Sequence, residues 1–130
     1  MAKLRHIAYR ATDPESTASF FVKGLEMSVV QRRQNGAIDL TDGTINITVL
    51  PMSTGNSGGD VQPGVNHIGF TATDDNAAAI QMEAAGALQI GSIGDSASAH
   101  YEHKFKGPDG IVIDIGHWVG AAPVEEEIKA

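Results

Sequence analysis

The chain opens on Leu4–Asp13 (LRHIAYRATD), a segment that sorts cleanly when it is read as an extended strand. Successive side chains of a strand point to opposite faces, so His6 and Ala8 share one side and Ile7 and Tyr9 the other. The pattern returns in Val65–Asp74 (VNHIGFTATD), with His67 and Gly69 on one side and Ile68 and Phe70 on the other. The two segments align without a gap. His6-Ile7 matches His67-Ile68, Ala11-Thr12-Asp13 matches Ala72-Thr73-Asp74, and Leu4, Ala8 and Tyr9 stand opposite the similar Val65, Gly69 and Phe70. An internal repeat of this kind decides the fold before any single element does.

The halves stay in step beyond this point. Each Ala-Thr-Asp leads into a helical stretch, Pro14–Lys23 and Asn76–Ala85. Asp13 can cap the first helix by accepting its free N–H groups, and Pro14 fits the first helical position, where no N–H is required. Asp74 or Asp75 serves the second. Gly24 and Gly86 stand where a left-handed residue is expected to end each helix. Ala18, Phe21 and Leu25 form an apolar stripe on the first helix; Ala79, Met82 and Gly86 form a poorer one on the second. Three strand-like pieces follow each helix: Ser28–Arg33, Gly36–Leu40 and Thr44–Leu50, then Leu88–Ile93, His100–Lys106 and Ile111–Gly116. Asp42-Gly43 and Asp109-Gly110 close the last hairpin of each set. Each half therefore reads β-α-β-β-β. Alone, a half is marginal for folding; together the two make one domain over residues 1–120. Module one spans 3–52, a Gly- and Ser-rich linker 53–64, module two 65–119, and a tail 121–130.

Composition narrows the function classes. With 42% hydrophobic and 19% charged residues the chain is globular. A formal charge of −7, from 9 basic and 16 acidic residues, argues against nucleic acid as a partner. No apolar run approaches the roughly 20 residues of a membrane span, and MAKLRHIAYRATD lacks the apolar stretch of a signal peptide, so a cytoplasmic protein is expected. There is no cysteine, and any metal must be held by nitrogen and oxygen.

The candidate chemistry starts from the repeated histidine. One strand histidine is usually structural; the same histidine at matched positions, each beside a small residue, suggests a shared polar hollow and a pair of metal ligands. A carboxylate completes such a site. Asp114 interrupts the β-branched run Ile111–Ile115 on the face opposite Ile113 and Ile115, where an acid needs a partner or a cation. His6, His67 and Asp114 are the expected metal ligands. The last strand of the first half carries no acid; Asn46 and Thr48 stand on one of its faces as weak oxygen ligands or substrate hydrogen-bonding groups. Ala99–Phe105 (AHYEHKF) adds Glu102 and His103 as general acid/base candidates and Tyr101 as a substrate contact.

HIAYRATDPESTASFFVKGLEM, LTDGTINITVL, NHIGFTATD and FKGPDGIVIDIGHW together resemble the glyoxalase / bleomycin-resistance / extradiol-dioxygenase group, the vicinal oxygen chelate (VOC) superfamily, over most of residues 3–119. The resemblance implies an α+β fold of paired βαβββ modules, whose mixed sheets curl into a cup around a central cavity and a divalent metal (Zn, Ni, Mn or Fe). It implies a metal-dependent lyase or isomerase of glyoxalase type that chelates a small oxygenated metabolite and stabilises an enolate-like intermediate, and a possible homodimer. The first-half position that usually carries a glutamate holds Thr48 or Asn46 here, and Asp114 stands for the usual second glutamate. Both departures point away from a glutathione-dependent glyoxalase I. Two alternatives come with the resemblance. One is an extradiol-type Fe(II) dioxygenase, although that class draws its ligands from one module and His6 lies in the other. The second is a metal-free ligand-sequestering protein of bleomycin-resistance type, which generally lacks the histidines.

Overall fold

The computed structural model describes residues 2–53, 62–93 and 100–118, leaving aside the side chains of 93, 100–102 and 117–118. Most of the linker and all of the tail expected at 121–130 lie outside the described residues. The first half runs β1 (Lys3–Ala11), α1 (Pro14–Leu25), β2 (Ser28–Arg32), β3 (Ile38–Thr41) and β4 (Asn46–Pro51). The second runs β5 (Gly64–Thr71), α2 (Asp75–Ala84), β6 (Leu88–Ile93), β7 (His100–Lys106) and β8 (Val112–Trp118).

All eight strands form one sheet in the order β2-β3-β4-β1-β5-β8-β7-β6. The order is the same read outward from the centre in either half, which is the pseudo-twofold symmetry the repeat calls for. Within each half the first and last strands run parallel (β1 with β4, β5 with β8) and the hairpins antiparallel. The halves join through the antiparallel pair β1–β5. The sheet curls without closing, and no described strand pairs with the outer side of β2 or β6. Both of these edge strands skip one residue in their ladders, Val30 in β2 and Ile90 in β6. This is the α+β, glyoxalase-like architecture expected.

Local chemistry sets the boundaries. Asp13 and Asp74 each accept a first-turn N–H, from Ser16 (3.2 Å) and Ala77 (3.0 Å). Gly86 takes the left-handed conformation expected of it (φ 103°). Gly24 does not: α1 continues through it to Leu25, and Glu26 turns left-handed instead (φ 57°). That conformation costs a non-glycine residue roughly 1–2 kcal/mol. It also delivers Met27 into the core, offsetting the cost by burial. β4 starts two residues later than the pattern suggests because Asp42 Oδ1 captures the N–H groups of Thr44 (2.7 Å) and Ile45 (2.9 Å). β3 also starts late, since Asn35 and Gly36 make the turn before it.

The first half owns the continuous apolar core. Ala11, Ala18, Met27, Ile38, Leu40 and Val49 pack together with Tyr9, Phe21, Val22 and Ile47 around them, between α1 and one face of the sheet. Leu25 is not part of the stripe that Ala18 and Phe21 make; it is 63% exposed, because the longer helix carries it past the sheet. α2 buries no residue fully, and a cavity of about 210 Å3 remains between it and the sheet, lined by Ala72, Ala77, Ala78, Met82 and Ile115 among others. No described helix is long and apolar enough to cross a membrane.

Two outcomes follow for urea unfolding. Leu40→Ala empties a fully buried site and lowers stability by about 2–5 kcal/mol, whereas Leu25→Ala changes it by less than about 0.5 kcal/mol. The backbone N–H groups of Ile45 and Thr44 hold the Asp42 carboxyl below its ordinary pKa, so the ionised form stabilises the fold. The stability gap between the wild type and Asp42→Ala is therefore full above about pH 4 and closes as pH falls further.

Candidate metal centre

The face of the sheet turned away from the helices carries the polar residues. In β1–β5, His6 stands opposite Gly69 and Ala8 opposite His67, so each histidine has a small residue across the ladder. A β-carbon at Gly69 would overlap the His6 ring, which therefore lies directly over that glycine. The two imidazoles meet edge to face, 5.3 Å between centroids and 88° between planes. β8 brings Asp114 alongside Gly69, and its Oδ2 lies 3.2 Å from His67 Nε2. The three residues are 5%, 8% and 1% exposed, and a potential ligand atom of each lies within 4.8 Å of the others. Among the described residues this is the one cluster able to hold a metal.

Asn66, which the sequence did not single out, sets the orientation of His67: its Oδ1 is 2.7 Å from His67 Nδ1. In the tautomer that donates Nδ1–H to Asn66, Nε2 turns a lone pair toward Asp114 Oδ2. Two acceptors at that distance need a proton or a cation between them. That 3.2 Å separation is short enough for one ion to be held by both atoms. Two imidazoles and one carboxylate are a donor set that suits such an ion. The residues fit the group.

Around this cluster the two halves differ. β1 pairs Ala8 with Thr48 and β5 pairs Gly69 with Asp114, so Thr48 is the first-half counterpart of Asp114. One strand further out, Asp39 faces Thr48 and Lys104 faces Asp114. Thr48 Oγ1 donates to Asp39 Oδ1 (2.7 Å), and Asp39 also accepts from Gln31 Nε2 (2.7 Å), Arg33 Nε (2.8 Å) and Arg33 Nη2 (3.1 Å). With its proton engaged there, the Thr48 oxygen keeps its lone pairs for the hollow. Asn46 is fully buried beside His6 in the register. Lys104 Nζ sits 3.0 Å and 3.2 Å from the two oxygens of Asp114. Farther along β1, the buried Arg10 donates to the carbonyls of Pro51 (3.3 Å) and Met52 (3.4 Å) at the end of β4.

The structure thus brings His6, His67 and Asp114 together, with Thr48 and Asn46 on the same face. His103 lies apart from them. It adjoins Lys104 on β7 and so points to the other face, where its Nε2 is 3.1 Å from Asp75 Oδ2 at the start of α2. It ties strand to helix and is not at the cluster. The side chains of Tyr101 and Glu102 lie outside the described residues; their backbones pair with His117 and Gly116.

Residues 3–115 match the model of the Glyoxalase/Bleomycin resistance protein/Dioxygenase superfamily. Among solved structures the chain is similar to a hypothetical protein from Bacillus halodurans C-125 (TM-score 0.70, 14% identity, covering 92% of this chain and 96% of that one). It is also similar to methylmalonyl-CoA epimerase from Mycobacterium tuberculosis (TM-score 0.68, 15% identity, 98% and 91%). A third likeness is to the 2,3-dioxygenase LapB from Pseudomonas sp. KL28 (TM-score 0.68, 15% identity), over 89% of this chain but 40% of that one. No curated protein matches.

Gly69→Ala forces the His6 ring aside and costs about 1–3 kcal/mol in urea unfolding, with a displaced His6 ring resonance in NMR spectra. Gly91→Ala, with nothing within 4 Å of the added carbon, stays within about 0.5 kcal/mol of the wild type.

Proposed function

The chain belongs to the Glyoxalase/Bleomycin resistance protein/Dioxygenase superfamily, and on that premise we propose that it is a metal-dependent enzyme, a lyase or isomerase, acting on a small oxygenated metabolite. The observation that carries this reading is the buried trio His6, His67 and Asp114, with Asn66 turning His67 Nε2 toward the carboxylate.

In this reading His6, His67 and Asp114 hold a divalent ion (Zn, Ni, Mn or Fe). When bound, such an ion supplies Lewis acidity, lowering the cost of negative charge on neighbouring substrate oxygens. The chain's own groups do the rest. Three protein ligands leave room for two substrate oxygens, where a fourth strong ligand would leave less. Asp39 fixes the Thr48 hydroxyl so that its oxygen accepts a hydrogen bond from substrate, and Asn46 supplies an amide beside His6. Glu102 is the residue proposed to move the proton, with Tyr101 as a further substrate contact. Gly69, having no β-carbon, leaves the space that the His6 ring occupies. The likeness to an epimerase along nearly its whole length supports isomerisation ahead of oxygen insertion, since the dioxygenase is matched over 40% of its length.

A second reading has one observation in its favour. Lys104 already gives Asp114 a cationic partner, which suits a metal-free protein that sequesters a ligand between its halves.

Elemental analysis of protein purified without chelator or affinity tag separates the two. The enzyme reading expects about one transition-metal ion per chain, and His6→Ala and His67→Ala each losing most of it. Stoichiometric metal retained in both variants removes this site from consideration. Iron as the resident ion favours the dioxygenase; zinc, nickel or manganese favours the lyase or isomerase.

A further inference from the structure

We propose that Lys104 is a built-in cation that competes with the metal for Asp114, so that metal uptake requires the ammonium to leave the carboxylate. The proposal rests on the reading of His6, His67 and Asp114 as a metal site.

Lys104 Nζ approaches both oxygens of Asp114, at 3.0 Å and 3.2 Å, so it spans the carboxylate from which any cation must be held. Oδ2 is the same oxygen that faces His67 Nε2 at 3.2 Å. One carboxylate oxygen is thus shared between the ammonium and the imidazole nitrogen that would bind the ion. The pair is deeply placed, with side chains 12% and 2% exposed, so solvent and salt screen it weakly. A dication placed there with the ammonium still seated would meet strong repulsion.

The ammonium also compensates the buried carboxylate. A buried carboxylate with no compensating charge is costly, and Lys104 offsets part of that cost by forming a pair. Its place in the fold makes the device particular to the second half. The corresponding first-half position holds Asp39, whose cation is Arg33 and whose strand neighbour is the neutral Thr48. Acid and cation are therefore arranged differently on the two sides of the pseudo-twofold axis, and only Asp114 is contested. The lysine stem is long enough to swing clear. The consequence is a site held in shape before metal arrives, with weakened and exchangeable metal binding.

The test is a titration of metal-stripped protein with Co2+ alone against a chromophoric chelator, comparing wild type, Lys104→Met and Lys104→Arg. Lys104→Met is expected to bind Co2+ about tenfold more tightly or better at unchanged stoichiometry, and Lys104→Arg, which keeps a cation, to stay near the wild type. Equal or weaker binding by Lys104→Met, with the wild type still binding one ion, overturns the role of Lys104 and leaves the metal site standing. Binding by no protein overturns the metal site itself, and this proposal with it. Should Lys104→Met fail to fold, wild-type protein gives an independent readout: acetylation of Lys104 by acetic anhydride, followed by mass spectrometry, with and without Co2+. Labelling several-fold faster with metal is expected; an unchanged rate in protein shown to hold the ion overturns the proposal.

Discussion

The antiparallel ladder between β1 and β5 joins the two halves, and its register sets where the imidazoles stand. Because His6 faces Gly69 and Ala8 faces His67, each histidine has a small residue opposite it, and the His6 ring lies over Gly69. A slip of one residue would leave the two rings on opposite faces of the sheet. The core around α1 and the capped helices keep that ladder in register from outside, and the curl of the sheet brings Asp114 and Lys104 in from one flank and Thr48 and Asp39 from the other.

Symmetry accounts for the gathering of these groups, and its breakdown accounts for their chemistry. Two like modules deliver equivalent backbone positions to a common axis. The side chains at those positions have diverged: a threonine backed by an acid on one flank, an acid backed by a lysine on the other. The first pairing orients a neutral oxygen. The second neutralises a buried charge. A fully symmetric centre would offer a metal four protein ligands and a substrate fewer openings.

Much of this could be read in the sequence because duplication repeats its signals. His6 and His67 with their small neighbours, Asp114 within an apolar strand, and the Asp-Gly turns are all local patterns tied to backbone geometry. What escaped depends on register. The faces of β7 follow only from pairing it with β8, which sends Lys104 toward Asp114 and His103 toward Asp75. Counting outward from the turn at Gly107–Gly110 would have found that pairing. Asp39 could be found the same way from the β3–β4 hairpin. Asn66 left no trace in the repeat, since Arg5 stands at its matched position. The end of α1 was misplaced because burial of Met27, a tertiary effect, outweighed the local preference for glycine.

The skipped residues Val30 and Ile90 bear on how copies of this molecule behave toward one another. Among the described residues the open sheet has two unpaired margins, which the repeat makes alike, a geometry that lets the β2 margin of one molecule add to the β6 margin of the next. Such head-to-tail addition need not close on itself and would grow into fibres. A bulge kinks and twists a strand away from further pairing. Both margins carry a one-residue irregularity of this kind at the equivalent place. The repeat that builds the centre thus also sets the same irregularity into both margins of the unclosed sheet.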